Sequence, residues 1–208
     1  MKNPENNPAL DRWNERFGAE GYLFGTAPNH FLASQAKLLR PGERALSIAD
    51  GEGRNGVWLA EQGLDVLTID FSPVGLAKAE KLAAKRGVTL ETRQTDIAVW
   101  DWDAETFDVI VAIFIQFAGP PLRAKIFAGI QRALRPGGRL ILQGYRPKQL
   151  EYGTGGSKKI ANKYTANLLT AAFAGLEIRH LREHDSVVHE GRGHDGISAL
   201  IDLVAVKP

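Results

Sequence analysis

Three glycines, Gly51, Gly53 and Gly56, stand between a short apolar run ending near Ala49 and a helical pattern that begins at Asn55. Their spacing, Gly-x-Gly-x-x-Gly, fits a tight turn from a strand into a helix, where bare backbone lets a nucleotide approach closely. A carboxylate, Asp70, follows about 20 residues on, at the end of the next apolar run, where it can accept hydrogen bonds from ribose hydroxyls. Few folds accept this arrangement. The chain must place two parallel strands side by side and bind its ligand at their carboxyl ends.

The rest of the pattern extends the same architecture. Strands are expected at Arg44–Ala49, Asp65–Ile69, Val88–Gln94, Phe107–Phe114 and Arg139–Tyr145, and helices at Asn55–Gln62, Ser72–Arg86 and Pro121–Leu134. Ser72-Pro73 supplies an N-cap followed by proline at the first helical turn, and Gly63 and Gly87 follow helix ends. The nearly continuous apolar run at 107–114 suits a central strand buried on both faces. Thr165 caps a further short helix to Phe173. Two late strands, Glu177–Glu183 and Ile197–Val206, are expected to pair antiparallel through a polar loop, Ser186–Gly196. Residues 1–30 form an added segment carrying Trp13, Arg16, Phe17, Tyr22 and Phe24. Residues 146–165 are basic, with Arg146, Lys148, Lys158, Lys159 and Lys163 against Glu151 alone, and read as a mobile flap.

Composition narrows the function. A net charge of +2 argues against a general nucleic-acid binder, and the lack of cysteine excludes disulfides, thiolate metal sites and cysteine nucleophiles. No apolar run approaches the roughly 20 residues of a membrane span, and the opening residues lack the apolar core of a leader, so a cytoplasmic protein is expected. Four of the five histidines fall between 180 and 194. His184, His189 and His194 recur every five residues, a spacing that places His184 and His189 on opposite sides of a continuing strand, so no metal is expected. A nicotinamide-dependent oxidoreductase is the first competitor. Bulky Glu52 and Arg54 between the glycines speak against it, as does the short stretch of chain after the fifth strand. The proton-transferring Tyr-x-x-x-Lys pair is missing too: four residues after Tyr145, Tyr152 and Tyr164 stand Gln149, Gly156 and Leu168.

At Gly51-Glu52-Gly53-Arg54-Asn55, Asp70, Asp96, Phe107-Asp108-Val109-Ile110 and Leu134-Arg135-Pro136-Gly137-Gly138-Arg139-Leu140, the chain resembles the class I S-adenosylmethionine-dependent methyltransferases. It is most similar to the small tellurite-resistance and thiopurine methyltransferase-like enzymes, which the opening Trp13…Arg16-Phe17…Tyr22-Leu23-Phe24-Gly25-Thr26-Ala27-Pro28-Asn29 also resembles. The resemblance implies a single α/β domain over 1–208: a Rossmann-like, doubly wound, seven-stranded and mostly parallel sheet with an antiparallel C-terminal strand and helices on both faces. It implies S-adenosyl-L-methionine as cofactor, with S-adenosyl-L-homocysteine as product. Ala49, Gly51 and Gly53 would pass under its methionine part, Asp70 would hold the ribose, and Asp96 with Ile97 would sit by the adenine. Ile113 would line the floor, Trp13 and Arg16 would close over the cofactor, and Asp50, Asn55 and Phe71 complete the set.

One departure stands out. Where the family carries an acid two residues before its first loop glycine, Ser47 and Ala49 occupy the acid and glycine positions. The acid here, Asp50, comes one position past the glycine slot and faces differently along a strand. For the acceptor, a small molecule is expected: a soft nucleophile (thiol, selenium or tellurium species) or a small amine, contacted by Arg146, His189 and His194. An RNA or protein methyltransferase and a non-catalytic cofactor-binding regulator are the alternatives. The pattern leaves the number of subunits open.

Overall fold

The computed structural model describes residues 7–208; residues 1–6 of the N-terminal segment lie outside the described residues. Seven strands form one sheet: β1 (Arg44–Ile48), β2 (Asp65–Asp70), β3 (Glu91–Gln94), β4 (Phe107–Ile113), β5 (Leu134–Tyr145), β6 (Glu177–Glu190) and β7 (His194–Val206). Their spatial order is β3-β2-β1-β4-β5-β7-β6. β1 pairs parallel with both β2 and β4, and β7 runs antiparallel to β5 and β6. The chain winds one way from β1 to β3 and the other way from β4. The strand order therefore reverses between β1 and β4, and such a reversal leaves a crevice at the carboxyl edge.

Helices α1 (Pro8–Gly18), α2 (His30–Ser34), α3 (Arg54–Glu61), α4 (Pro73–Arg86), α5 (Pro120–Ala133), α6 (Gln149–Tyr152) and α7 (Ala166–Ala172) surround the sheet. Local chemistry explains α4. The Ser72 hydroxyl accepts from the Gly75 amide, Pro73 starts the helix, and Gly87 ends it at φ 70°. One apolar layer, including Trp102, Phe127, Tyr164 and Phe173, lies on the face covered by α5 and α7. The opposite face buries Phe31, Leu32, Leu59 and Leu64 against Val109, Val111 and Ile141. No helix among the described residues is long and apolar enough to cross a membrane.

Three boundaries differ from the sequence expectation. β3 starts at Glu91 rather than Val88, because the Val88 amide donates back to Ala83 and belongs to the cap of α4. β5 begins at Leu134: the ladder pairs Phe107 with Leu134, bulges through 135–138, and resumes at Val109 with Arg139. The largest correction is at the end of the chain. Ser186–Gly196 is not a loop; β6 and β7 continue through it to a tight turn at 191–193, pairing Val187 with Ile197 and Glu190 with His194. Two polar residues of this stretch, Glu190 and His194, are buried by distant partners. Gly191 packs under the Gly25 backbone, and the Gly193 amide donates to the Leu23 carbonyl at 3.1 Å.

Candidate functional site

β1 ends in a turn that passes through the left-handed region, which suits glycine and strains alanine. Ala49, Gly51 and Gly53 all take positive φ, at 49°, 60° and 86°. At Gly53 a side chain is also excluded sterically, since a Cβ would lie 2.4 Å from the Ala79 Cβ on α4. Asp50 turns inward beneath this loop. One carboxylate oxygen accepts from the Gly56 amide at 2.9 Å and the Thr68 hydroxyl at 2.8 Å, tying α3 and β2 to the loop. Burial pushes its carboxyl above the usual range, partly offset by those bonds. Asp50 thus sits beneath the loop, bonded to α3 and β2.

Asp70 closes β2. Its two oxygens accept from the Gly51 and Ser72 amides, each at 2.8 Å. Burial pushes it up to about 6, against the pull of those amides. A carboxylate has about four acceptor positions, so each oxygen keeps one for a further hydroxyl. Asp96, exposed, accepts from the Ala98 amide at 2.9 Å, with Ile97 buried beside it. Phe71 is half-buried and follows Asp70 directly; Ile113 is buried at the end of β4. The Asn55 side chain accepts from the Asn29 amide at 2.9 Å. Bare glycine backbone, a strand-end carboxylate with acceptor positions to spare and a buried apolar floor together fit an adenosyl group.

The N-terminal segment covers this cradle. Phe17, 3% exposed, lies over Gly51, where a Cβ would meet its ring at 2.9 Å. Trp13 stacks on Phe17 at 5.2 Å, and the Arg16 guanidinium lies 4.5 Å from the Trp13 ring. Glu52, buried, accepts from the Leu23 amide at 2.6 Å and pairs with Lys78 at 2.9 Å, so a residue inside the glycine turn anchors the segment. The Ser72 hydroxyl donates to the Asn14 side chain at 2.6 Å.

Beyond Phe17 an aromatic series leads to the ends of β4, β5 and β7. Phe24 packs 6.4 Å from Phe17 and 4.5 Å from His194; Phe114 packs 4.4 Å from His194 and 4.6 Å from Tyr145. His194 is buried in this series. Burial, then Arg54 and Arg16, lower it to about 3, so it stays neutral. The other two expected substrate contacts lie elsewhere. His189 is exposed at the hairpin tip, bonded to Asp195 at 2.6 Å, and lines a separate cavity of about 190 Å³ with Phe24, His30 and Glu190. Arg146 is engaged by Asp185, by Glu183 at 3.8 Å and by the His184 carbonyl at 3.2 Å.

Sequence reasoning did not single out Arg54, Asn29, Glu190, Phe114, Tyr145 or Lys163. Arg54 ion-pairs with Glu190 at 2.7 Å, and Asn29 donates to Glu190 at 2.9 Å and to Gln143 at 2.7 Å. Gln143 continues to Asp202 at 2.6 Å and Asp202 to His184 at 2.8 Å. The presence of Arg54 between loop glycines was the one visible signal of this network.

The architecture and cradle define a Rossmann-like fold of the class I methyltransferase type. Residues 45–138, from β1 into the first part of β5, match the family model described as a methyltransferase domain. That match covers a little under half of the chain and makes residues 45–138 similar to S-adenosylmethionine-dependent methyltransferase domains. Over 137 residues it is 34% identical to a glycine/sarcosine N-methyltransferase of Halorhodospira halochloris, covering 62% of this chain and 47% of that protein. The chain spans 41% to 47% of the length of several curated relatives that it matches. The N-methyltransferase NodS of Bradyrhizobium japonicum, solved with S-adenosyl-L-homocysteine, superposes with a TM-score of 0.72 at 16% identity, covering 97% of this chain and all of that one (100%). TehB of Haemophilus influenzae superposes at 0.70 with 17% identity, covering 96% and 67%. These superpositions establish the fold.

Proposed function

We propose that this chain moves the methyl group of S-adenosylmethionine to a small acceptor by in-line transfer. The reading rests above all on the Gly51–Asp70 unit, whose amide-to-carboxylate bond at 2.8 Å fixes a ribose acceptor beside bare backbone. Ala49, Gly51 and Gly53 pass under the methionine part, Asp70 takes the ribose hydroxyls, and Asp96 with Ile97 flanks the adenine. Phe71, Asn55 and Ile113 shape the walls, Asp50 holds the loop from below, and Trp13 and Arg16 close from above.

When bound, the sulfonium supplies an already activated methyl group. The protein's task is to align the acceptor and exclude water. Phe17, Phe24, Phe114 and Tyr145 enclose the path from the loop to the sheet edge in apolar surface. His194 stays neutral and is a weak base, and burial raises Tyr145 so that it remains a phenol. Such a site favours acceptors that present a lone pair near neutral pH without a strong base, thiols and selenium or tellurium species; a small amine would first have to release its proton to solvent. A small-amine acceptor is also consistent with the glycine/sarcosine N-methyltransferase similarity.

Calorimetry with S-adenosylhomocysteine and NADH tests the cofactor, and a methyl-transfer screen over thiol, selenite, tellurite and small-amine acceptors tests the class. Binding of S-adenosylhomocysteine and transfer to at least one acceptor are expected. Binding of NADH instead would refute the reading.

A further inference from the structure

We infer that Lys163 and Tyr145 form an anion-binding subsite that holds a carboxylate on the methyl acceptor, an inference that rests on the methyltransferase reading above. The basic segment supplies the starting point. Of its five cations, Lys148 pairs with Asp185 at 2.6 Å and Arg146 shares the same carboxylate, while Lys158 and Lys159 are exposed. Lys163 differs: it is 3% exposed, and its ammonium has no hydrogen-bond partner. Its nearest compensation is the face of Tyr145, 5.0 Å away.

A buried ammonium without a counter-ion is unfavourable, and burial lowers Lys163 to about 8. The Tyr145 hydroxyl, wholly buried, has the Ser198 hydroxyl beside it and no charged partner among the described residues. Glu190 is the acid whose charge reaches Tyr145, but it is committed to Arg54, Asn29 and the His30 amide. Two buried donors thus lie near one another, and no carboxylate among the described residues is free to accept from them.

Both sit under the same cover. A Cβ on Gly155 would lie 2.9 Å from the Tyr145 hydroxyl, and one on Gly156 3.2 Å from the Lys163 ammonium. These glycines belong to a stretch with neither helix nor strand, and Gly156 is exposed, so one layer of backbone separates the donors from solvent. Tyr145 also stacks on Phe114, which follows the end of β4. A small acceptor with its carboxylate on Lys163 and Tyr145 lays its body along Phe114 and His194, toward Gly51. The lysine and the phenol supply the charge-assisted hydrogen bonds, and the aromatic wall supplies apolar contact.

The test uses benzoate and its neutral isostere benzamide as probes, titrated calorimetrically into the full chain loaded with S-adenosylhomocysteine. Benzoate should bind at least tenfold more tightly. Lys163→Met should bring the ratio near one, Lys163→Arg should restore part of it, and S-adenosylhomocysteine affinity should be the same in all three. Tyr145→Phe, which keeps the ring, should reduce the ratio and serves if Lys163→Met does not fold. Equal binding of the two probes to the wild type overturns the subsite, as does a benzoate preference that survives Lys163→Met. If the wild type fails to bind S-adenosylhomocysteine, the methyltransferase reading itself falls and takes the subsite with it.

Discussion

Arg54 and Glu190 face each other at 2.7 Å with side chains only 7% and 4% exposed, joining the glycine turn to the end of the β6–β7 hairpin. The contact is a charge pair rather than an aligned hydrogen bond, since the nearest Arg54 nitrogen has no acceptor at hydrogen-bonding angles. Glu190 also accepts from Asn29 and from the His30 amide, so it gathers three segments. Removing one partner leaves the other charged and dry. Glu190→Leu or Arg54→Met alone should destabilise the fold by about 3–5 kcal/mol, and the double variant by less than Glu190→Leu alone. Urea unfolding of the four proteins measures the coupling; strict additivity would show that the two residues do not act together.

Asp70 ties the cradle to pH. Its folded pKa, about 6, lies above the unfolded value of 3.8. The proton-linked stabilisation is therefore complete below about pH 4 and is lost as pH rises through 6, a change on the order of 3 kcal/mol. In the proposed ribose role the hydroxyls would bind the ionised form, so cofactor affinity would have the opposite sense. Affinity for S-adenosylhomocysteine should fall about tenfold per pH unit below 6. Asp70→Asn should flatten that profile, and Asp70→Ala should weaken binding by roughly 1–3 kcal/mol at pH 8. Calorimetry from pH 5 to 8 reads both effects, and an unchanged affinity in Asp70→Ala would remove Asp70 from the ribose role.

The first half of the sheet was legible because its signals are local. Ser72, Pro73 and Gly87 mark α4 through bonds made within a few residues, and the run at 107–113 announces a buried central strand by itself. The hairpin was not legible, because two of its polar residues, Glu190 and His194, are buried by partners far along the chain. Glu190 meets Arg54 and Asn29, and His194 meets Phe24 and Phe114. Seen alone, 186–196 has the composition of a loop. Lys163 presents the same problem, since four neighbouring cations of like type remain on the surface or in surface pairs.

Trp102 lies flat on α5 at Gly129, where a Cβ would come within 2.3 Å of the indole. The fit anchors the irregular stretch before β4 to the helix that covers the sheet. Gly129→Ala overfills this contact and should destabilise by about 1–3 kcal/mol despite the better helix propensity of alanine. Pairing it with Trp102→Leu, which makes room, should recover part of the loss. A Gly129→Ala protein as stable as the wild type in urea would mean that the stretch moves away at little cost.

Phe17 occupies the face of Gly51 over which the proposed function lays the methionine part of the cofactor. The ring leaves no room for even a methyl group there, and Trp13 stacks on its outer side at 5.2 Å. Cofactor entry must shift α1, so Trp13 should report binding. Titration with S-adenosylhomocysteine should change tryptophan fluorescence in the wild type, and most of that change should vanish in Trp13→Phe, which leaves Trp58, Trp100 and Trp102. Phe17→Ala removes the obstruction along with buried apolar surface. It should speed association in stopped-flow mixing while lowering stability by about 3–5 kcal/mol. If association is unchanged in Phe17→Ala and Trp13 is silent, α1 does not gate the cradle, and the ligand enters from the side of Phe71 and Asp96 instead.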